Sequence, residues 1–552
     1  MNSQPAPRWD REITLVSQLA AAASLLSFLF YFRHGDLLLY GDAVAHLNIA
    51  RRVMDSRTPG LLQLGTVWLP LPHLVMIPFV LPDAAWQTGI AGAIPSMCAY
   101  VFGSAGMFRL VRHGLSALDH RALPAGTPAL HARVAAWLGA GIYAANPNLL
   151  YMQTTAMTEV LYLAFFIWSV VHFSEFVQSV GTVEANTSLM RCGGCLLGAC
   201  LTRYDGWCVA AIICLGVACV LLRSGRKTLC RSFMRFILLA VAGPVLWLAY
   251  NTVVYRNPLE FANGPYSARA IEQQKTALSQ SSPHPGWHNL PVAFSYFLKS
   301  AEGNMGEGKL QKVWVALLIA GIAVIVLVNR KLWPFLLLVI PVAFYTLSIA
   351  YGSVPVYLPD WWPFSHYNVR FGLELLPAFS AMMGVTVDLV LSRVSGRSAI
   401  AAVLLGAVAL IAISYRSTWK AQPICYREAW INSRTRMAFE AALAATLIKL
   451  PHDSSVLMYL GDHVGALQDA GIPLRQTINE GNHRPWMPYD PDGLWERALA
   501  DPKKYVDYVI AIDDDPVATK VQRRDLSSVV VVHAIGQPPA TIYWTGRTIS
   551  PP

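Results

Sequence analysis

Charged and polar side chains beside long apolar runs are the residues of this sequence best suited to chemistry. Asp42 directly follows the first apolar run, and His46 comes four residues later. On a helix this spacing places both side chains on one face, where a carboxylate can act as general base toward a hydroxyl group. Alternatively, Asp42 caps a short helix and His46 is solvated. The two roles of Asp42 are compatible, so both interpretations stay open.

Two further groups interrupt apolar runs with charge. Glu159 lies one turn into a run, where a carboxylate needs a water-filled cavity or a buried hydrogen-bond partner. Arg203 and Asp205 break another run. They form an internal salt bridge that fixes a turn, or Arg203 binds a phosphate.

The last group of candidate residues, His366 and Arg370, is preceded by an aromatic segment. Trp361 and Trp362 are suited to anchor the chain at a membrane interface, or to stack on a sugar or isoprenoid. His366 and Arg370 follow at the entrance of an apolar run, where Arg370 in particular suits a phosphate. Glu374 comes four residues after Arg370, so the two side chains can pair with each other.

Composition places these groups in a membrane protein. Of the 552 residues, 54% are hydrophobic and only 14% are charged, and the mean hydropathy is +0.40. A soluble protein carries about 25% charged residues. The net charge of +10 is typical of basic cytoplasmic loops, and no basic stripe with interleaved aromatic residues indicates nucleic-acid binding.

Apolar runs of about 20 residues, the length that spans a bilayer, predict a polytopic α-helical protein. We expect about eleven spans: 13–32, 86–108, 134–150, 155–177, 192–202, 206–222, 234–254, 311–328, 333–350, 371–391 and 398–415. Residues 192–222 are divided because one helix would bury Arg203 and Asp205 near the bilayer centre. Residues 61–82 are apolar but contain four prolines, so we predict a re-entrant or interface-lying segment.

The distribution of Lys and Arg then orients the chain. With the N-terminus inside, the positive-inside rule is satisfied by the loops after the second, sixth, eighth and tenth spans. The predicted cytoplasmic residues are Arg109, Arg112, Arg121, Arg133, Arg223, Arg226, Lys227, Arg231, Arg235, Arg330, Lys331, Arg393 and Arg397. The exoplasmic side receives loops of about 33–85, 255–310 and 351–370, together with the C-terminal tail.

The tail differs from the rest of the chain. Short apolar runs at 455–460, 508–512, 528–533 and 541–544 alternate with helical and turn segments, which predicts strands. We therefore expect two domains: a transmembrane domain over 1–415, and a small exoplasmic α/β domain over 416–552.

The lack of common nucleotide-binding and hydrolase motifs reduces the number of functions that fit the sequence. The sequence contains no Walker loop, Rossmann fingerprint, nucleophile elbow or HExxH motif, which disfavours a nucleotide-driven pump and a soluble-type nucleotide-sugar enzyme. A transporter or lipid flippase is the main alternative to an enzyme. It predicts paired halves with midplane sites, and the polar groups here are one-sided. A scaffold that presents the tail is a further alternative.

At Asp42 and at segments 157–159, 201–207 and 370–377, the chain resembles the GT-C superfamily of polyprenyl-phosphate-sugar-dependent glycosyltransferases. This superfamily includes the protein O-mannosyltransferase and aminoarabinose-transferase relatives. Its members place an acidic residue on a juxtamembrane helix after the first span, which is where Asp42 stands. The resemblance covers roughly residues 1–390 and excludes the tail. Many relatives have an Asp-Glu pair in that loop, whereas Ala43 follows Asp42 here.

The resemblance implies an inverting sugar transfer from a polyprenyl-phosphate donor to a lipid, glycan or protein acceptor, at the periplasmic face of a bacterial inner membrane. Asp42 would be the catalytic base, and no cofactor is assigned. A divalent metal is compatible with the reaction but is not indicated, because the acidic pair is missing. The expected substrate-binding residues are His46, Glu159, Arg203, Asp205, His366 and Arg370.

Overall fold

Long apolar helices form the body of the molecule, and a small sheet follows them. The computed structural model describes residues 11–118, 130–224, 230–279, 283–483 and 490–547. Arg121, Arg226 and Lys227, three of the predicted cytoplasmic charges, lie outside these residues.

The helices are distributed along the whole described chain. Up to residue 255 they are α1 (Arg11–His34), α2 (Gly41–Arg52), α3 (Leu71–Val80), α4 (Asp83–Thr88), α5 (Ile90–Ser116), α6 (Leu130–Ala144), α7 (Pro147–Met152), α8 (Glu159–Ser179), α9 (Glu184–Thr202), α10 (Asp205–Ser224) and α11 (Cys230–Tyr255). Up to residue 447 they are α12 (Glu260–Asn263), α13 (Ala268–Ser279), α14 (Leu290–Gly303), α15 (Lys309–Leu327), α16 (Ile340–Tyr351), α17 (Leu376–Arg393), α18 (Arg397–Ala421) and α19 (Ile424–Leu447). The tail adds α20 (Gly465–Ala470), α21 (Leu494–Ala500), α22 (Pro502–Tyr505) and α23 (Pro516–Lys520). The 3-10 helices are Asp36–Leu38, Leu61–Leu64, Arg330–Val339, Val369–Leu375, Leu474–Gln476 and Arg523–Asp525.

The chain is an integral membrane protein. Within the described residues, nine helical segments are long and apolar enough to cross a bilayer. They contain α1, α5, α8, α10, α11, α15, α16, α17 and α18. Nine of the eleven predicted spans fall on these segments. The other two, 134–150 and 192–202, fall on α6 and α9, which lie outside that set.

Two predicted spans have different bounds because of local caps and breaks. The span predicted from residue 86 begins later: Gly89, with a φ of 82°, separates α4 from α5. The span predicted over 134–150 is divided between α6 and α7, where the Asn146 side chain caps α7 and Pro147 occupies its first turn.

The predicted interruption of the apolar run 192–222 is present. Helix α9 ends at Thr202, Arg203 is extended (φ −148°, ψ 152°), and α10 begins at Asp205. The proline-rich segment 61–82 holds a 3-10 turn and the ten-residue helix α3, which is shorter than a span.

Ion pairs bring three helix ends together on the side opposite Asp42. Glu12, at the start of α1, lies 2.7 Å from Arg112 near the end of α5 and 2.8 Å from Arg133 near the start of α6. The start of α1 therefore lies on the same side of the molecule as Arg112 and Arg133, as their predicted placement with the N-terminus requires.

The tail contains a five-stranded sheet in the order β2-β1-β3-β5-β4. Its strands are β1 (Val456–Leu457), β2 (Thr477–Ile478), β3 (Tyr508–Ile512), β4 (Ser527–Val532) and β5 (Ala540–Trp544). β1 pairs in parallel with β2 and β3, whereas β5 is antiparallel to β3 and β4. The predicted small α/β unit is confirmed, with β2 as an additional short strand. Helix α18 continues past the predicted end of the last span at residue 415, to Ala421; the division into domains at 415/416 stays a prediction.

The two faces of the sheet pack into two different hydrophobic cores. Side chains alternate across a strand, so Tyr508 and Ile510 of β3 join the main core of the helical body, while Val509 and Ala511 join a small core of the tail. The tail is thus packed against the helical body along one face of the sheet.

Candidate functional site

Arg370 lies at the centre of three carboxylates that come from distant parts of the chain. It belongs to the 3-10 helix Val369–Leu375 that precedes α17. Its Nη2 is 2.6 Å from Asp42 Oδ2, its Nε is 3.1 Å from Glu159 Oε1, and its Nη1 is 2.9 Å from Glu428 Oε1. The guanidinium thus fixes the relative positions of α2, α8 and α19.

Arg203 forms a second centre in the turn between α9 and α10. Its Nη1 donates to Glu159 Oε1 at 3.1 Å, and its Nη2 donates to the Tyr345 hydroxyl at 2.7 Å. Its Nε lies 3.3 Å from Asp205 Oδ2 and 3.5 Å from Glu374 Oε1. The salt bridge between Arg203 and Asp205 predicted from the sequence is present, but it is part of a larger network.

One oxygen and one ring connect the two centres. Glu159 Oε1 accepts hydrogen bonds from both arginines. The Phe371 ring lies between them, with its centroid 5.2 Å from Arg203 Cζ and 5.3 Å from Arg370 Cζ. We call the two arginines and their five carboxylates the two-arginine cluster; it consists of Arg203, Arg370, Asp42, Glu159, Asp205, Glu374 and Glu428.

Helix N-termini supply three of these carboxylates. Asp42, Glu159 and Asp205 each lie in the first turn of a helix: α2, α8 and α10 respectively. A carboxylate is stabilised there by the helix dipole and by unpaired backbone amides, as in the bond from the Gly206 amide to Asp205. The ends of three helices therefore converge on the two arginines.

The cluster is open at Asp42. The Asp42 side chain is 39% exposed, whereas the other four carboxylates are at most 3% exposed and Arg370 is 9% exposed. A ligand can therefore reach the network at the ion pair between Asp42 and Arg370. Asp42 is not the N-cap of α2, because Tyr40 holds that position and Asp42 lies inside the first turn.

Five of the seven predicted site residues meet in this cluster: Asp42, Glu159, Arg203, Asp205 and Arg370. His46 lies one turn after Asp42 and is buried, with only 2% of it exposed, so it is not a solvated side chain. Burial, followed by the charges of Arg370 and Arg203, lowers the pKa of His46 to about 3.

His366 does not join the two-arginine cluster. Its backbone oxygen accepts a hydrogen bond from Asn432, and the charged groups that act on its ring are Arg427 and Asp360. Burial and the charge of Arg427 lower the pKa of His366. His366 comes four residues before Arg370, but residues 361–368 form an irregular loop, so the two side chains do not share a helix face.

Two cluster residues have partners that the sequence pattern did not reveal. Glu374 approaches Arg203 instead of Arg370, because Val369–Leu375 is a 3-10 helix, in which residues three apart, not four, share a face. Glu428 comes from α19, in the predicted tail. Its only sequence signal is an acidic residue close after a helix start that follows Pro423.

Arg51, near the end of α2, is also buried in ion pairs. It is 5% exposed, and it pairs with Asp55 at 2.9 Å and with Asp83 at 2.6 Å.

Within the described parts of the chain, no group of three or more His, Cys, Asp or Glu side chains is arranged to hold a metal ion.

Comparison with known proteins identifies the fold. The chain superposes on ArnT from Cupriavidus metallidurans with a TM-score of 0.54 in the apo state and 0.55 in the complex with undecaprenyl phosphate. In both, 14% of residues are identical, and the match covers 97% of this chain and 98% of ArnT. This chain has the fold of ArnT.

The structural match to ArnT extends further along the chain than the sequence resemblance indicated. The resemblance stopped near residue 390, whereas the structural match covers 97% of the chain and therefore includes most of the tail. An oligosaccharyltransferase from Archaeoglobus fulgidus is also similar, with a TM-score of 0.45, 10% identity, and coverage of 94% of this chain and 72% of that protein. No protein-family model and no curated protein sequence matches the chain.

Proposed function

We propose that the protein transfers a sugar from a polyprenyl-phosphate donor to a hydroxyl group of a lipid, glycan or protein acceptor. The proposed location is a bacterial inner membrane, with the site on the periplasmic side. The observation that carries the proposal is the ion pair between Asp42 and Arg370 at the open edge of a buried charge cluster. The GT-C fold supports it, since ArnT with this fold binds undecaprenyl phosphate.

In this mechanism the donor phosphate competes with Asp42 for Arg370. Both arginines are fully paired with carboxylates, and Asp42 is the most exposed of these partners. A phosphate oxygen that takes over Nη2 of Arg370 releases the Asp42 carboxylate, which can then contact the acceptor hydroxyl. Donor binding and release of the base are thereby coupled.

The reaction itself is a single displacement. Asp42 takes the proton of the acceptor hydroxyl, whose oxygen attacks the anomeric carbon from the face opposite the phosphate. The new glycosidic bond forms as the bond between the anomeric carbon and the phosphate oxygen breaks, so the configuration inverts. Arg370, with Arg203 behind it, stabilises the negative charge on the departing polyprenyl phosphate.

The proposal is tested in a strain that lacks the gene. Mass spectrometry of its lipids and surface glycans should find a glycan or lipid without its sugar, and an accumulated polyprenyl-phosphate sugar. Restoring the wild-type protein should reverse both changes. A deletion strain with unchanged lipids and glycans would contradict the proposed function.

Asp42→Asn tests the role of the base. A general base contributes about 10²- to 10⁴-fold, so transfer should fall by at least about 100-fold while the protein level in the membrane stays the same. The matched control is Asp83→Asn, which also removes a carboxylate 2.6 Å from an arginine, but at a 71% exposed position outside the cluster. Equal transfer by Asp42→Asn and wild type would remove Asp42 from the mechanism.

A further inference from the structure

Two buried histidines contact each other on and beside α2, the helix that carries Asp42. His46 of α2 and His73 of α3 are 2% and 0% exposed, and His46 Nδ1 lies 2.9 Å from His73 Nε2. Trp68 packs against the His46 ring with a centroid distance of 4.7 Å. The proline-rich segment 61–82 thus places His73 against α2, the helix that carries Asp42.

The remaining ring nitrogens decide which histidine donates in this hydrogen bond. His73 Nδ1 is buried and has no hydrogen-bond partner. If His46 donated from Nδ1, a neutral His73 would carry its proton on that Nδ1, and a buried N–H group would be left without an acceptor. Such orphaned donors are rarer in proteins than unsatisfied acceptors. The favoured arrangement therefore has His73 Nε2–H donating to His46 Nδ1.

The charge state of His46 agrees with this arrangement. Its pKa is lowered to about 3, so the ring is neutral at any pH at which the protein is assayed. The charged groups near the pair are Arg370 and Arg203 beside His46, Arg52 beside His73, and Asp42 on the same helix. Three of these four are cationic, and cations oppose protonation of either ring. A neutral His46 that accepts at Nδ1 carries its proton on Nε2.

We infer that His73 is a positioning residue that holds His46 as an Nε2–H donor toward an oxygen of the bound sugar donor. Among the described residues, Nε2 of His46 has no hydrogen-bond partner. His46 and Asp42 are one helical turn apart and therefore share a face of α2. The identity of the ligand rests on the proposed function; the proton position does not. The ligand oxygen belongs either to the phosphate or to a sugar hydroxyl.

Two substitutions at His73 separate the proton position from simple packing. The amide N–H of His73→Gln still donates to His46 Nδ1, so this variant should retain most of the transfer activity. The carboxylate of His73→Glu accepts from Nδ1 and removes the proton from Nε2, so transfer at neutral pH should fall by about 10- to 100-fold. His463→Gln is the control, since His463 is a buried histidine outside the pair.

The pH profile distinguishes this effect from structural damage. In His73→Glu the new carboxylate raises the pKa of His46, and an imidazolium again carries a proton on Nε2. Transfer by this variant should therefore recover as the pH falls, whereas wild type and His463→Gln should show no such rise. Equal loss in His73→Gln and His73→Glu, or a loss in His73→Glu that does not change with pH, would overturn the inference.

Binding of undecaprenyl phosphate identifies the ligand oxygen. If His73→Glu weakens binding of this sugar-free lipid, His46 contacts the phosphate; if binding is unchanged while transfer falls, His46 contacts the sugar. The proton position is read separately by ¹⁵N NMR of histidine-labelled wild-type protein, with His46→Gln used to assign the signal. A protonated Nε2 is expected even if the protein transfers no sugar, and a protonated Nδ1 would refute the inference.

Discussion

Glu428, on helix α19 of the predicted tail, holds the Arg370 side chain in place. Its Oε1 accepts hydrogen bonds from Arg370 Nη1 and from the Asn368 backbone N–H, both at 2.9 Å. Asn368 has a φ of 56°, a left-handed conformation that asparagine adopts more readily than most residues. The carboxylate therefore holds both the guanidinium and the turn that leads into the 3-10 helix Val369–Leu375.

Glu428→Gln should lower sugar transfer with little change in protein level. A glutamine keeps one acceptor oxygen but replaces a charged partner of Arg370 with a neutral one. A hydrogen bond to a charged group contributes about 1.5–3 kcal/mol, which corresponds to about 10- to 100-fold in rate if it is lost in the transition state. The transfer rate of purified protein in vesicles is the measurement.

Glu440→Gln is the matched control for this variant. Glu440 lies on the same helix, is 3% exposed, and pairs with Arg436 at 2.5 Å without contacting the two-arginine cluster. Its substitution should leave the transfer rate near the wild-type value. A similar loss of rate in both variants would show that burial of charge on α19, not the hold on Arg370, is responsible.

At the scale of elements, close backbone contacts set the position of the 3-10 helix Val369–Leu375. Gly372 lies between Arg370 and Glu374, and an added Cβ would come within 2.5 Å of the Ser300 backbone carbonyl on α14. Backbone atoms cannot move aside as a flexible side chain can. The absence of a side chain at residue 372 therefore lets this helix approach α14 and places both charged neighbours.

Gly372→Ala should destabilise the protein and reduce transfer together. Overpacking of this kind costs about 1–3 kcal/mol, and relief of the clash shifts Arg370 and Glu374. Gly141→Ala on α6 is the control, because its Cβ would meet no atom within 4 Å. Thermal unfolding followed by tryptophan fluorescence, with transfer assays on the same samples, is the measurement; an unfolding midpoint of Gly372→Ala at or above that of Gly141→Ala would contradict the packing argument.

Helix positions were more predictable from the sequence than side-chain partners. An apolar run long enough to span the bilayer can be recognised from neighbouring residues alone. The free-energy cost of burying Arg203 and Asp205 in a membrane predicted the break at residues 203–204. Partners at a distance leave no such local signal. Asp42 and Arg370 are 328 residues apart, and Glu374 acquired Arg203 as a partner because its helix has 3-10 geometry.

At the scale of the whole molecule, the tail is bound to the segment that carries Asp42. Asp55, just after α2, accepts hydrogen bonds from the backbone amides of Leu474 and Arg475 at 3.3 and 3.2 Å, and also pairs with Arg51. Asn482 of the tail donates to the Thr58 hydroxyl at 2.9 Å. The tail therefore holds the segment that directly follows α2, the helix that carries the proposed base.

Asp55→Ala should loosen this attachment. The substitution removes one carboxylate partner of the buried Arg51 and leaves two tail amides without acceptors, at a cost of about 3 kcal/mol. Arg475→Ala should cost less than about 1 kcal/mol, because the Arg475 side chain is 63% exposed. Limited proteolysis of the tail and the unfolding midpoint should both rank Asp55→Ala as the less stable variant; the reverse order would refute the attachment.

Because both arginines contact Glu159 Oε1, a ligand beside one arginine would change the binding affinity of a ligand beside the other. The second oxygen of this carboxylate, Oε2, is buried and has no hydrogen-bond partner, so both guanidiniums contact Glu159 through the same oxygen atom. Any occupant that draws one guanidinium away leaves that atom entirely to the other. By thermodynamic reciprocity, an occupant beside Arg203 must then alter affinity at Arg370 by the same factor as the reverse. We therefore expect ligands beside the two arginines to affect each other's affinity through this shared acceptor.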